Sequence, residues 1–144
     1  MPVTTAELAA ALISVFEGSR LTAYQDPGGI WTIGIGHTKG VTEGMTITPW
    51  QQSQLFAEDA APLLAMVESY PILEGAALAS FGYNCGAGAL RLVMSGHDLI
   101  SSRIHTTDRK GDVLPGLVAR RNLEELLVAL SQQLQAGRSQ LPAV

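Results

Sequence analysis

Behind Thr4-Thr5-Ala6-Glu7, apolar side chains recur at Leu8, Leu12, Val15 and Phe16, the spacing of one face of an α-helix. The stretch ahead of them reads as a capping box, with Thr4 accepting backbone N–H bonds and Glu7 reaching back. Gly18 supplies the stop. From Leu21 to Ile47 that period gives way to β-branched residues, glycines and an Asp26-Pro27-Gly28-Gly29 turn, which together predict a small sheet. Within Trp31–His37, strand alternation puts Trp31, Ile33, Ile35 and His37 on one face and Thr32, Gly34 and Gly36 on the other. From Pro49 onward helical spacing returns. Pro71, Gly86, Gly96 and the Lys110–Gly116 loop divide it into helices over 49–67, 71–85, 87–95, 97–106 and 116–136. The pattern predicts one α+β domain over 1–144, with an N-terminal helix (1–17), a small β lobe (18–48) and a mainly helical lobe (49–144).

Composition narrows the possible functions. The chain has 144 residues, 47% of them hydrophobic and 15% charged, with a net charge of −4. That is enough for one packed core. The nine basic residues are scattered apart from the pairs Arg109-Lys110 and Arg120-Arg121, so no basic stripe tracks a phosphate backbone and nucleic acid is not an expected partner. The uncharged run Leu8–Phe16 covers nine residues, against about 20 for a membrane span, and no basic leader precedes it. A lone Cys85 leaves no internal disulfide and fits a reducing cytoplasm. No Cys or His pairs with His37 at ligand spacing, so neither a metal nor a cofactor is expected.

Two acids carry the candidate chemistry. Glu17 falls at the C-terminal end of the first helix, beside Phe16 and near Leu21. The helix dipole and the apolar neighbours there favour a protonated carboxyl. Asp26 sits at the lip of an open, polar turn that keeps it ionised. Two carboxyls in opposing environments are what an acid/base pair requires. The plainer alternative is a solvated helix end and an ordinary turn aspartate. Thr32 weights the choice, because its strand face is otherwise glycine, at Gly34 and Gly36. Glycine in a strand marks close approach of a ligand or backbone. A flat floor beside Thr32, with Thr38 next to it, admits a sugar ring and a water held for Asp26.

The remaining residues have structural readings. His37 belongs with Ile33 and Ile35 on the core face, and Cys85 is a small core residue. Trp31 and Trp50 pack in the core or at its edge. His97 and His105 are solvated helix residues, and Arg120-Arg121 opens a helix.

Glu17, eight residues, Asp26, five residues and Thr32, followed by IGIGHT, resemble the catalytic signature of the phage-type lysozymes, or endolysins (glycoside hydrolase family 24). The resemblance continues through GVTEGMTIT (Gly40–Thr48) into LFAEDAAPLL, and returns at ALASFGYNCGAGAL (Ala77–Leu90) and LPGLVARRNLEELL (Leu114–Leu127). It implies a lysozyme-like fold and cleavage of the β-1,4 bond between N-acetylmuramic acid and N-acetylglucosamine in peptidoglycan. Glu17, Asp26 and Thr32 match the family's three active-site positions, and some members carry cysteine in place of Asp26. The stretch between Leu90 and Leu114 is shorter than is usual in the family and lacks its tryptophan, which leaves the number of sugar subsites open. A monomer without stable membrane insertion is expected, with no appended wall-binding module or signal-anchor. By resemblance such a protein waits in the host cytoplasm until a holin opens the inner membrane. A lytic transglycosylase, or an inactive peptidoglycan-binding module, are the alternatives on the same scaffold.

Two contacts follow. Asp59 matches the family's acidic position in LFAEDA and is expected to pair with His37, tying the β lobe to the next helix. On a helical wheel Arg120 lies toward the apolar stripe of Leu123, Leu127 and Leu134, whereas Arg121 points away. Arg120 is therefore the expected partner of Glu17.

Overall fold

The computed structural model describes residues 1–96, 105–108 and 110–140. Five helices and a two-stranded antiparallel sheet follow in the order α1 (Thr5–Glu17), β1 (Arg20–Gln25), β2 (Trp31–Gly34), α2 (Pro49–Met66), α3 (Ile72–Cys85), α4 (Ala87–Met94) and α5 (Pro115–Ser139). Capping explains two of the starts. Thr4 and Glu7 close the expected capping box on α1. Thr48 and Gln51 close a second on α2, with Pro49 in the first turn, where its missing N–H costs nothing.

The core is built around α3. Every residue from Gly75 to Gly82 is buried, because α3 is covered by α1, α2, α4 and α5. Its small residues permit that crowding. A Cβ at Gly82 would stand 2.8 Å from Leu90 Cδ2 and 2.9 Å from Leu63 Cδ2, too close for any larger side chain. Ile13, Val67, Phe81, Leu90 and Val128 pack around it. The sheet is widened by Met45 and Ile47, whose backbones pair with Ala23 and Leu21.

Several expectations need correction. The strand does not run to His37. It stops at Gly34, and Ile33 and His37 exchange two backbone hydrogen bonds across a tight loop. Gly34 and Gly36 adopt φ of +65° and +71°, a conformation that side-chain alternation does not reveal. Trp50 is 70% exposed rather than packed. The expected helix over 97–106 lies, for 97–104 and with them His97, outside the described residues. His105 is solvated but not helical: its φ is 52° and its ring meets Phe81 edge-on at 5.4 Å. Thr107 then bridges to Val113, and Asp108 closes the turn by accepting from the N–H groups of Lys110 and Asp112. On α5 the buried face is Arg120, Arg121, Glu124, Val128 and Ser131. Leu134 is 54% exposed. Arg121 is fully buried instead of pointing away.

The β lobe is anchored as expected. His37 Nδ1 lies 2.7 Å from Asp59 Oδ2 on α2, and Nε2 lies 2.9 Å from the Lys39 carbonyl. His37 is buried, so removing its partner leaves a polar ring without its hydrogen bond, at a cost of about 1–3 kcal/mol. Asp59→Ala and His37→Ala should each lower unfolding free energy by that amount in urea melts. Their double-mutant cycle should show favourable coupling of about 0.5–3 kcal/mol, and coupling near zero would contradict the anchor.

Candidate active site

Glu17 is the last residue of α1, and Gly18 at φ 70° ends the helix there. Its side chain is 22% exposed and is held from both sides. Arg120 Nη1 lies 2.5 Å from Oε1. On the other side the loop after β2 presses in without a side chain, since a Cβ at Gly36 would stand 2.8 Å from Oε2. Gly36 therefore provides close backbone approach to the acid rather than part of a flat floor. Gly34 packs beside Ile47 and Gln52.

Asp26 closes its own turn. Its Oδ1 accepts from the Gly28 N–H at 2.9 Å and the Ile30 N–H at 2.8 Å, which fixes the carboxylate at the edge of the β lobe. The other oxygen carries none of the turn's hydrogen bonds. Glu17 and Asp26 line one cavity of about 440 Å³, walled also by Phe16, Tyr24, Asn84 and Leu117. That volume suits a small-molecule or sugar cleft. Thr32 pairs with Tyr24 across the sheet, is 4% exposed, and donates its hydroxyl to the Ile30 carbonyl at 3.0 Å. Thr38 lines a different cavity, of about 330 Å³, with Gly36, His37, Asp59 and Tyr83. A roomier groove of about 570 Å³ beside Val3, Leu8 and Leu134 holds neither acid.

Behind Glu17 lies a charge cluster of which sequence reasoning found only Arg120. Arg120 donates from Nη2 to the Ser80 carbonyl at 3.0 Å and from Nε to the Ser80 hydroxyl at 3.2 Å. Its Nε is also 3.3 Å from Glu124 Oε1, and its guanidinium lies 5.4 Å from the Phe16 ring centroid. Arg121 pairs with the same glutamate, Nε to Oε2 at 2.8 Å, and lies over Phe81 at 4.9 Å. Burial raises the Glu124 carboxyl above its usual range, against the pull of Arg121, Ser80 and Arg120. Burial likewise pushes up the Cys85 thiol despite Arg121 beside it, so Cys85 is a neutral packing residue, as expected. The Tyr83 phenol donates to the Ile35 carbonyl, and burial, followed by the Asp59 and Glu17 charges, pushes its pKa upward. The available signal for Glu124 was its i+4 and i+3 spacing from two arginines. Among the described residues no three His, Cys, Asp or Glu side chains converge as a metal site would need.

Residues 14–124 match the family described as phage lysozyme. The chain is 31% identical over 133 residues to an endolysin of Acyrthosiphon pisum secondary endosymbiont phage 1, covering 81% of this chain and 91% of that relative. Among solved structures, the muramidase domain of SpmX from Asticaccaulis excentricus superposes with a TM-score of 0.67 at 30% identity, covering 88% of this chain and 97% of that one. The active form of the P1 phage endolysin Lyz gives a TM-score of 0.73 at 22% identity, covering 88% and 85%, a likeness of fold. With the family match spanning both candidate acids and the cluster behind them, the chain belongs to the phage lysozyme family.

Proposed function

We propose that this chain is an endolysin that hydrolyses the β-1,4 bond between N-acetylmuramic acid and N-acetylglucosamine in bacterial peptidoglycan. The observation that carries the reading is the shared cleft, with Glu17 on the helical side and Asp26 on the β-lobe side. In this scheme Glu17 protonates the glycosidic oxygen as general acid. Asp26 takes a proton from a water on the opposite face of the muramic acid ring; for Thr32 to help place that water, its buried hydroxyl must turn from the Ile30 carbonyl toward the cleft. Such a single displacement inverts the anomeric centre, whereas a carboxylate attacking directly would retain it. The protein acts as a monomer on glycan strands, reaching the wall from the host cytoplasm once a holin has opened the inner membrane. No described helix is long and apolar enough to cross a membrane.

On purified cell walls the native protein should release reducing muramic acid ends of inverted configuration when fresh product is followed by NMR. Retained configuration, a sugar ester trapped on Asp26, or 1,6-anhydro ends would contradict the scheme; the last would instead mark a lytic transglycosylase. Glu17→Gln and Asp26→Asn should each lose about 10²–10⁴-fold in rate while remaining folded.

The tight packing at Gly36 yields an independent test. A methyl there, 2.8 Å from Glu17 Oε2, must displace the acid, and a misplacement of about 1 Å can cost about 100-fold in rate. Gly36→Ala should show that loss. Near-native turnover in a folded Gly36→Ala would mean that the carboxyl does not act from this position.

A further inference from the structure

The proposed reaction places conflicting demands on Glu17. A general acid must carry its proton when substrate arrives, yet a positive charge beside a carboxyl favours the ionised form, and Arg120 Nη1 lies 2.5 Å from Oε1. The side chains behind Arg120 bear on this conflict although none of them lines the cleft. Glu124 is 0% exposed. Its Oε1 accepts from the Ser80 hydroxyl at 2.6 Å and from Arg121 Nη2 at 3.0 Å, and lies 3.3 Å from Arg120 Nε. Arg121 brings its own charge to Glu124 and turns its last nitrogen to Cys85 Sγ at 2.7 Å, a thiol that supplies no counter-charge.

The formal charges show what each residue does. With Glu124 in its ionised form, which Arg121, Ser80 and Arg120 favour against burial, Arg120 and Arg121 contribute two positive charges and Glu124 one negative, so the cluster facing Glu17 carries a net +1. Without Glu124's charge it would carry +2, and without Arg121's it would be neutral. At a buried site such changes are poorly screened.

We propose that Glu124 and Arg121 are positioning residues that set, through Arg120, how readily Glu17 holds its proton. Glu124 draws guanidinium charge away from the acid, and Arg121 limits how far it does so. The proposal rests on the reading of Glu17 as general acid. The other charged or titratable groups facing Glu17 are Asp26, in the same cleft, and the Tyr83 phenol on α3, which feels the charges of Glu17, Asp59 and Arg120. Around Glu124 they are Arg120, Arg121 and Cys85. Apart from Arg121, none of these groups is altered by the substitutions below.

The direct test is a carbon-13 NMR titration of the Glu17 carboxyl in the full chain, which needs no substrate, run beside the pH profile of kcat/KM. Glu124→Gln should lower the Glu17 midpoint by on the order of one pH unit, and Arg121→Gln should raise it by a similar amount. The double substitution should return it close to native. The alkaline limb of the activity profile should move in the same directions. A midpoint that stays put, or moves the same way in both single variants, overturns the proposal. A midpoint that shifts as expected while the activity limb does not would instead remove Glu17 from the role of acid and leave the coupling intact. Should the charge-changing variants fail to fold, Ser80→Ala decides. It leaves both arginines and the glutamate in the chain but removes the 2.6 Å bond that favours the Glu124 carboxylate and one acceptor of Arg120 Nε, so Glu124 takes up a proton more readily and the Glu17 midpoint must fall; an unchanged or raised midpoint overturns the proposal.

Discussion

The contact between Arg120 and Glu17 is the constraint on which the rest of the structure depends. It joins the end of α1 to the second turn of α5 across 103 residues of sequence, and it can form only if α3 lies between them as a scaffold. Burying a guanidinium is costly unless its donors are all matched. Ser80 matches two of them through its carbonyl and hydroxyl, and Glu124 adds a counter-charge. The run of small residues on α3 then has a purpose beyond packing. A bulky residue in place of Ser80 would push α5 away and leave Arg120 without partners.

Buried ion pairs are weak sources of stability, because desolvation offsets much of the attraction. A core of apolar residues would hold α1, α3 and α5 together as well. What the charged cluster adds is orientation: Glu17 Oε1 is fixed by a planar donor that is itself held at three points, and Oε2 by a backbone with no side chain to yield. Asp26 is fixed differently, by the N–H groups of its own turn. The acid depends on the tertiary fold and the aspartate on local structure. The two carboxyls therefore differ in environment for reasons that lie at different levels of the molecule.

That difference also explains what was legible in the sequence. The capping box at Thr4, the turn at Asp26 and the spacing from Glu17 to Thr32 are local, and local chemistry specifies them. The His37–Asp59 anchor was legible because an otherwise buried imidazole needs a partner and the family pattern offered one. The cluster was not, since Ser80 and Glu124 meet across 44 residues and the wheel is centred on Leu123, Leu127 and Leu134, whereas the buried face runs through Arg120, Arg121, Glu124, Val128 and Ser131. Arg121 lies on that face because Glu124, one turn on, carries a matching charge into the core. The strand's early end was hidden because alternation cannot register the positive φ of Gly34 and Gly36. Trp50, at the exposed start of α2, shows that an aromatic residue in a helical stretch need not face the core.

The most direct test of the account is Arg120→Lys, with stability and kinetics measured on the same preparation. Lysine keeps the charge but not the planar fork, so it cannot serve Glu17, the Ser80 carbonyl and Glu124 together. The account predicts a folded protein whose kcat falls about 100-fold with KM little changed. Native kcat in a folded Arg120→Lys protein would show that the guanidinium does not position the acid.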